Sequence, residues 1–231
     1  MLYYDYQYLL MMLPVLLISL YAQWKVKSSF NKYSKVRNRR GLTGAMAADA
    51  VLRANGIHDV RIEQVRGSLT DQYDPRRNVI RLSESVYGSS SIAAVGVAAH
   101  EAGHAVQYAV GYGPVHIRSA MVGITNIGSQ MGIILLMIGL LLNAASLFFI
   151  GIILFSLTAV FQLVTLPVEF NASRRAMDAI DGAALLDDEE AAGAKKVLSA
   201  AALTYVAALL TSVMQLLYYL SRFNGGRRDR R

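Results

Sequence analysis

The stretch "VAAHEAGHAVQ", residues 97–107, carries His100, Glu101 and His104. On a helix, positions four apart lie one turn above the other on a single face. The two imidazoles can therefore converge on one ion, and zinc takes nitrogen ligands of this kind. Glu101 falls about 100° around the helix from His100, where its carboxylate reaches a water beside the ion without being a ligand. The chemistry implied is hydrolysis, in which the ion lowers the pKa of water toward about 7 and the glutamate takes the proton. Ala99, Ala102, Gly103 and Ala105 are small, so another element can come close. Gly103 costs about 1 kcal/mol of helix propensity relative to alanine, a loss that tight packing would explain.

A short HExxH string also arises by chance, and helical histidines can be satisfied by hydrogen bonds alone. Two facts weigh against that reading. The chain has four histidines in 231 residues, and two of them fall at this spacing in an otherwise apolar segment. A strand of the right kind, "VIRLS", also lies shortly before it. The chain has no cysteine, so thiolate ligands and disulfides are excluded and a metal must be held by His, Asp or Glu. A catalytic zinc keeps three protein ligands and one open position. His58 lies far upstream in an expected loop. His116 follows Gly-Tyr-Gly-Pro, while Gln107 and Val110 stand where a compact elongated motif would place a glycine and a third histidine. Glu169, in "LPVEFNASRRAMDAI", is the favoured third ligand. Pro167 is expected to open a new helix with Glu169 in its first turn, where the bland alternative is offsetting the helix dipole. Two hydrophobic spans separate His104 from Glu169, so the chain leaves the motif's membrane face and returns to it.

The elements that must position these groups are mostly membrane spans. Hydrophobic residues make up 54% and charged residues 17%, against about a quarter charged in soluble domains. "YQYLLMMLPVLLISLYAQW" (6–24) is close to the length that crosses a hydrocarbon core, with aromatic ends and a kink expected at Pro14. Asp5 precedes this block and the lysines follow it, the reverse of a cleaved signal peptide. Residues 25–40 hold seven Lys or Arg and no acid, which marks a cytoplasmic flank. The formal charge of +7 is thus assigned to contact with anionic lipid rather than nucleic acid. Residues 41–120 read as a small α+β portion. It comprises a helix capped by Thr43 and stopped by Gly56, strands in "HDVRIEQV" and "VIRLS", a turn cluster "SLTDQYDPRRN", and the motif helix from about Ile92 to Val110. Residues 124–142 and 146–166 form a tight hairpin of spans, and residues 201–220 form a fourth. The tail "RFNGGRRDRR" is basic and expected to be disordered.

HEAGHAVQ, "LTDQYDPRRNVIRLS" and "LPVEFNASRRA" after a two-span hairpin closely resemble the YugP-type membrane-bound neutral zinc metallopeptidases. More distantly the second half is similar to the HtpX-type and CAAX-prenyl membrane peptidases. The resemblance implies a peptidase with zinc as cofactor, His100, His104 and Glu169 as ligands and Glu101 as general base; tethering of the site near the bilayer points to membrane-associated or unfolded polypeptides as substrates. Ser173 stands where the distant relatives carry an aspartate behind the ligands, with Asn171 and Asp178 as substitutes. Arg174 and Arg175 are expected to meet lipid or solvent. In zincin-like folds an edge strand holds an extended peptide beside the ion. "NVIRLS" is the expected edge, with Arg81 or Ser83 lining the cleft and Tyr73 as an oxyanion donor.

The fold class expected is mainly α with a small α+β zincin-like portion, in a polytopic membrane protein of about four transmembrane helices. Its parts are an N-terminal span (1–24), the zincin-like portion (25–120), a transmembrane hairpin (121–167), a helix carrying the third ligand (168–200), a fourth span (201–221) and the tail (222–231). The active site is expected on the cytoplasmic side. The rival reading is a non-proteolytic membrane scaffold or chaperone that binds zinc or none. Four crossings place the arginine-rich tail opposite the basic flank, a conflict with the charge bias.

Overall fold

The computed structural model describes residues 6–68 and 70–228. In chain order these form α1 (Tyr6–Tyr33), α2 (Gly44–Ala54), β1 (Arg61–Val65), β2 (Gln72–Asp74), β3 (Val79–Ser83), α3 (Glu84–Tyr87), α4 (Ile92–Ala109), α5 (Gly113–Leu141), α6 (Ala145–Gly182) and α7 (Asp188–Arg228). The chain is mainly α with one small sheet, as expected, and α1, α5, α6 and α7 are long and apolar enough to cross a membrane. It divides into two compact units.

One unit takes residues up to Ala22, Ile117–Leu166 and those from Thr204 onward. Its own buried cluster is small, with Leu136, Ile152 and Phe155 packed by Phe148 and Tyr219. Helices α5 and α6 meet backbone to backbone there. A Cβ on Gly151 would lie 2.7 Å from the Leu136 nitrogen, so small residues set this approach. The reversal between the two helices carries Asn143 at φ 52°, a left-handed conformation that asparagine tolerates. Many large side chains point outward, including Leu10 (78% exposed) and Ile127 (69%). A hydrocarbon solvent accommodates such side chains, whereas water would not.

The other unit comprises Gln23–His116 and Pro167–Leu203. Its core gathers Val51, Ile80, Leu82, Val95, Ala102 and Ile180. Thr43 caps α2 by accepting from the Met46 N–H, and Gly56, at φ 71°, ends the turn after it. Ser91 caps α4 by accepting from the Ala94 N–H at 3.2 Å. Alanines and glycines dominate α4, and most of its residues are buried.

The sheet has the order β1-β3-β2, with β3 parallel to β1 and antiparallel to β2. This corrects the expectation that "NVIRLS" forms an edge. Part of the turn cluster, Gln72–Asp74, pairs with it as a third strand, so β3 is central and β2 is an edge. Asp74 Oδ1 accepts from the Arg76 and Arg77 N–H groups, and Asn78 turns at φ 51°. These features close the tight hairpin between β2 and β3.

Two further expectations are corrected. Pro167 does not open a helix, because α6 runs through it. Proline removes one backbone bond, but Val168, Ala172, Ala176 and Ile180 follow at helical spacing and are fully buried. Their packing outweighs the local loss. Glu169 therefore sits within a helix, and the dipole-offsetting alternative falls away. The segment after it is two helices, since α6 ends at Gly182 and α7 starts with a capping box. Asp187 accepts from the Glu190 N–H at 2.9 Å, and Glu190 accepts from the Asp187 N–H at 3.2 Å. Helical backbone continues through Arg228 into the supposed disordered tail. Residues 229–231 lie outside the described residues.

Candidate metal centre

Helix α4 brings His100 and His104 onto one face, with ring centroids 4.8 Å apart. Glu169 reaches them from α6. Its Oε2 lies 3.3 Å from His100 Nε2 and 3.6 Å from His104 Nε2. One ligand atom from each residue lies within 4.8 Å of the others, and this is the group among the described residues able to hold a metal. His58 and His116 stand apart from it, and the His116 ring instead lies 5.3 Å from that of Tyr108.

The donor set fits zinc. Two ligand atoms each about 2.05 Å from a tetrahedral ion lie about 3.3 Å from each other, close to the separations observed. The neighbouring hydrogen bonds leave both Nε2 atoms directed at the carboxylate. His100 Nδ1 lies 3.1 Å from Ser173 Oγ, and His104 Nδ1 lies 3.0 Å from Gln107 Oε1. Charge agrees with geometry. Burial of His104 opposes its protonation, yet the Glu169 hydrogen bond and the charges of Glu101 and Glu169 outweigh burial and raise its pKa. The buried carboxylate thus demands a positive partner, a demand that a divalent cation meets with both rings neutral.

Close contact of α4 with α6 allows this convergence. A Cβ on Gly103 would lie 2.6 Å from the Ala172 carbonyl oxygen, a backbone atom unable to swing aside. Gly103→Ala should therefore push the helices apart, destabilise the fold by about 1–3 kcal/mol and weaken zinc binding. Thermal melting and a zinc titration check both effects. An unchanged protein would mean that the helices have slack at this point.

Glu101 lies beside the triad without joining it. Its Oε2 accepts the Tyr73 backbone N–H at 2.9 Å, so the edge strand β2 holds the carboxylate. The other residues proposed to touch substrate have structural partners. The Tyr73 hydroxyl is paired with Asn78 Oδ1 at 2.8 Å. Arg81 forms an ion pair with Asp74 at 3.6 Å. Ser83 is fully buried, and its hydroxyl donates to the Asp71 carboxylate. Burial of Asp71 raises its pKa from its ordinary value, against the hydrogen bonds from Ser83.

Ser173, and not Asp178, is the partner of His100 Nδ1. Gln107, whose place in the sequence marked only a missing glycine, is the partner of His104. Its signal was the spacing of three from His104, which puts both on neighbouring positions of one helix face. Arg175 does not simply face lipid or solvent, for its Nε donates to Asn171 Oδ1 at 2.8 Å.

The family described as "Putative neutral zinc metallopeptidase" matches residues 8–224. The chain is 48% identical over 210 residues to "Putative membrane protease YugP" of Bacillus subtilis (strain 168), an alignment that covers 91% of this chain and 93% of that protein. No solved structure matches significantly. A match running from the first span to the end of the fourth, with a relative alike over nearly its whole length, shows that the chain belongs to this neutral zinc metallopeptidase family.

Proposed function

We propose that the chain is a membrane-embedded zinc endopeptidase of the gluzincin kind, with His100, His104 and Glu169 as ligands and Glu101 as general base. The observation that carries this reading is the meeting of Glu169 with two imidazoles at 3.3 and 3.6 Å across 69 and 65 residues of chain. When bound, zinc supplies Lewis acidity that polarises a carbonyl and acidifies water. Glu101 takes a proton from water and returns it to the leaving amine. Its hold on the Tyr73 N–H keeps the carboxylate directed between the edge strand and the triad. The peptide-binding edge is assigned to β2 instead of β3, because β3 is paired on both sides. Extended or unfolded polypeptides, including membrane-associated ones, suit such an edge.

Purified protein should cleave casein, lose that activity to a zinc chelator and regain it when zinc is restored. Cleavage indifferent to chelation would remove zinc from the reaction. Bound zinc without cleavage would favour the scaffold or chaperone reading.

The metal site is proposed to face the cytoplasm, with the basic flank at residues 25–40 against anionic lipid. Single cysteines at residue 30 and in the tail should show opposite accessibility to an impermeant thiol reagent, residue 30 being the internal one. Labelling of both from the same side would reduce the crossings to an odd number.

A further inference from the structure

Behind His104 lies a chain of buried and half-buried hydrogen bonds that the zinc reading does not use. Gln107 is fully buried. Its Nε2 donates to the Val168 carbonyl at 2.7 Å and to Asn171 Oδ1 at 3.0 Å. Its Oε1 faces His104 Nδ1 at 3.0 Å. Arg175 Nε donates to the same Asn171 oxygen at 2.8 Å.

Each polarity in this chain follows from a group that has no choice. A guanidinium only donates, so Asn171 must present its oxygen to Arg175. A backbone carbonyl only accepts, so Val168 requires a donor from Gln107. Both amide hydrogens of Gln107 are thereby committed to Val168 and Asn171. Only its oxygen remains for His104, which must place a hydrogen on Nδ1. The ring then carries its lone pair on Nε2, the nitrogen nearest Glu169. A flipped Gln107 would set its oxygen against two acceptors and leave that buried oxygen without a donor, at a cost of about 1–3 kcal/mol.

We propose that Gln107 is a positioning residue that locks His104 into the Nδ1–H tautomer and so presents Nε2 to the metal, with Val168, Asn171 and Arg175 setting the direction of the lock. His100 has no equivalent. Its Nδ1 meets Ser173 Oγ, a hydroxyl that can donate or accept and so leaves that ring's tautomer to the ion. The two histidines are thus unequal, one held in advance and the other adaptable. Val168 and Asn171 flank Glu169 on α6, so the same helix that delivers the third ligand also orients the second.

This inference rests on the zinc reading above, and the experiment separates the two. Zinc affinity is measured by chelator competition on the full-length protein in detergent for wild type, His104→Ala, Gln107→Met and Gln107→Glu. Gln107→Met preserves the volume but offers the ring no good acceptor, and affinity should fall about 10- to 100-fold. Gln107→Glu keeps an oxygen toward Nδ1–H and, when protonated, a donor toward Val168, so affinity should return to within a few-fold of wild type. A role confined to filling the core would instead be served as well by methionine as by glutamate. Should Gln107→Met fail to fold, 15N spectra of the histidine-labelled, zinc-loaded wild type decide the matter, with His104 expected to ligate through Nε2. Ligation through Nδ1, or full affinity in Gln107→Met, overturns the lock while leaving the zinc site standing. If wild type binds no zinc, or His104→Ala binds it equally well, the zinc reading itself has failed.

Discussion

Glu101→Gln should reduce hydrolysis of casein by at least about 100-fold, the lower end of what a positioned general base contributes, while about one zinc per chain remains bound. Glutamine is nearly isosteric and keeps an oxygen to accept the Tyr73 N–H that Glu101 now holds at 2.9 Å. It cannot take a proton from water. Because Glu101 is outside the triad that can hold an ion, removing its charge should leave the ligands in place. Activity and zinc content measured on one preparation give the answer. Undiminished cleavage would remove Glu101 from the mechanism, and lost zinc would show that its carboxylate is needed to retain the ion.

The second large effect is expected at Glu169. Alanine there removes one of the three proposed ligand residues, and zinc affinity should fall by more than the roughly 10–100-fold typical of residues that merely orient ligands. Glu169 is 2% exposed, so alanine also opens a cavity in the α4–α6 contact. Glu169→Gln separates these consequences, since it retains the volume and drops the charge. Both variants should lose metal, while the glutamine variant should melt closer to wild type once each is stripped of zinc. Full zinc occupancy in either would mean that the third ligand lies elsewhere.

The local elements were legible because their signals are local. Thr43 caps the helix it was expected to cap, and β3 spans the residues whose alternation marked it. The four spans were visible as blocks of apolar sequence at the thickness of a bilayer. Two of the misreadings turn on contacts that a short window of sequence does not show. Gln72–Asp74 looked like a turn because three residues are too few to show a period, and only pairing with β3 makes them a strand. Pro167 looked like a helix start because its own preference is local, whereas buried neighbours carry α6 through it.

The candidate site divides in the same way. Sequence alone determined that two imidazoles share a helix face, that a carboxylate stands beside them and that the chain crosses lipid, since helical periodicity and span length are properties of short segments. Tertiary structure decided how closely Glu169, favoured from the sequence, meets the imidazoles, which strand is central in the sheet and what stands behind each ring. Those contacts join α4 to the residues following Pro167 and to β2, and only packing fixes distances between segments so far apart. Gly103 shows the link, because its missing side chain is readable in the sequence while the Ala172 carbonyl that needs the space appears only in the fold.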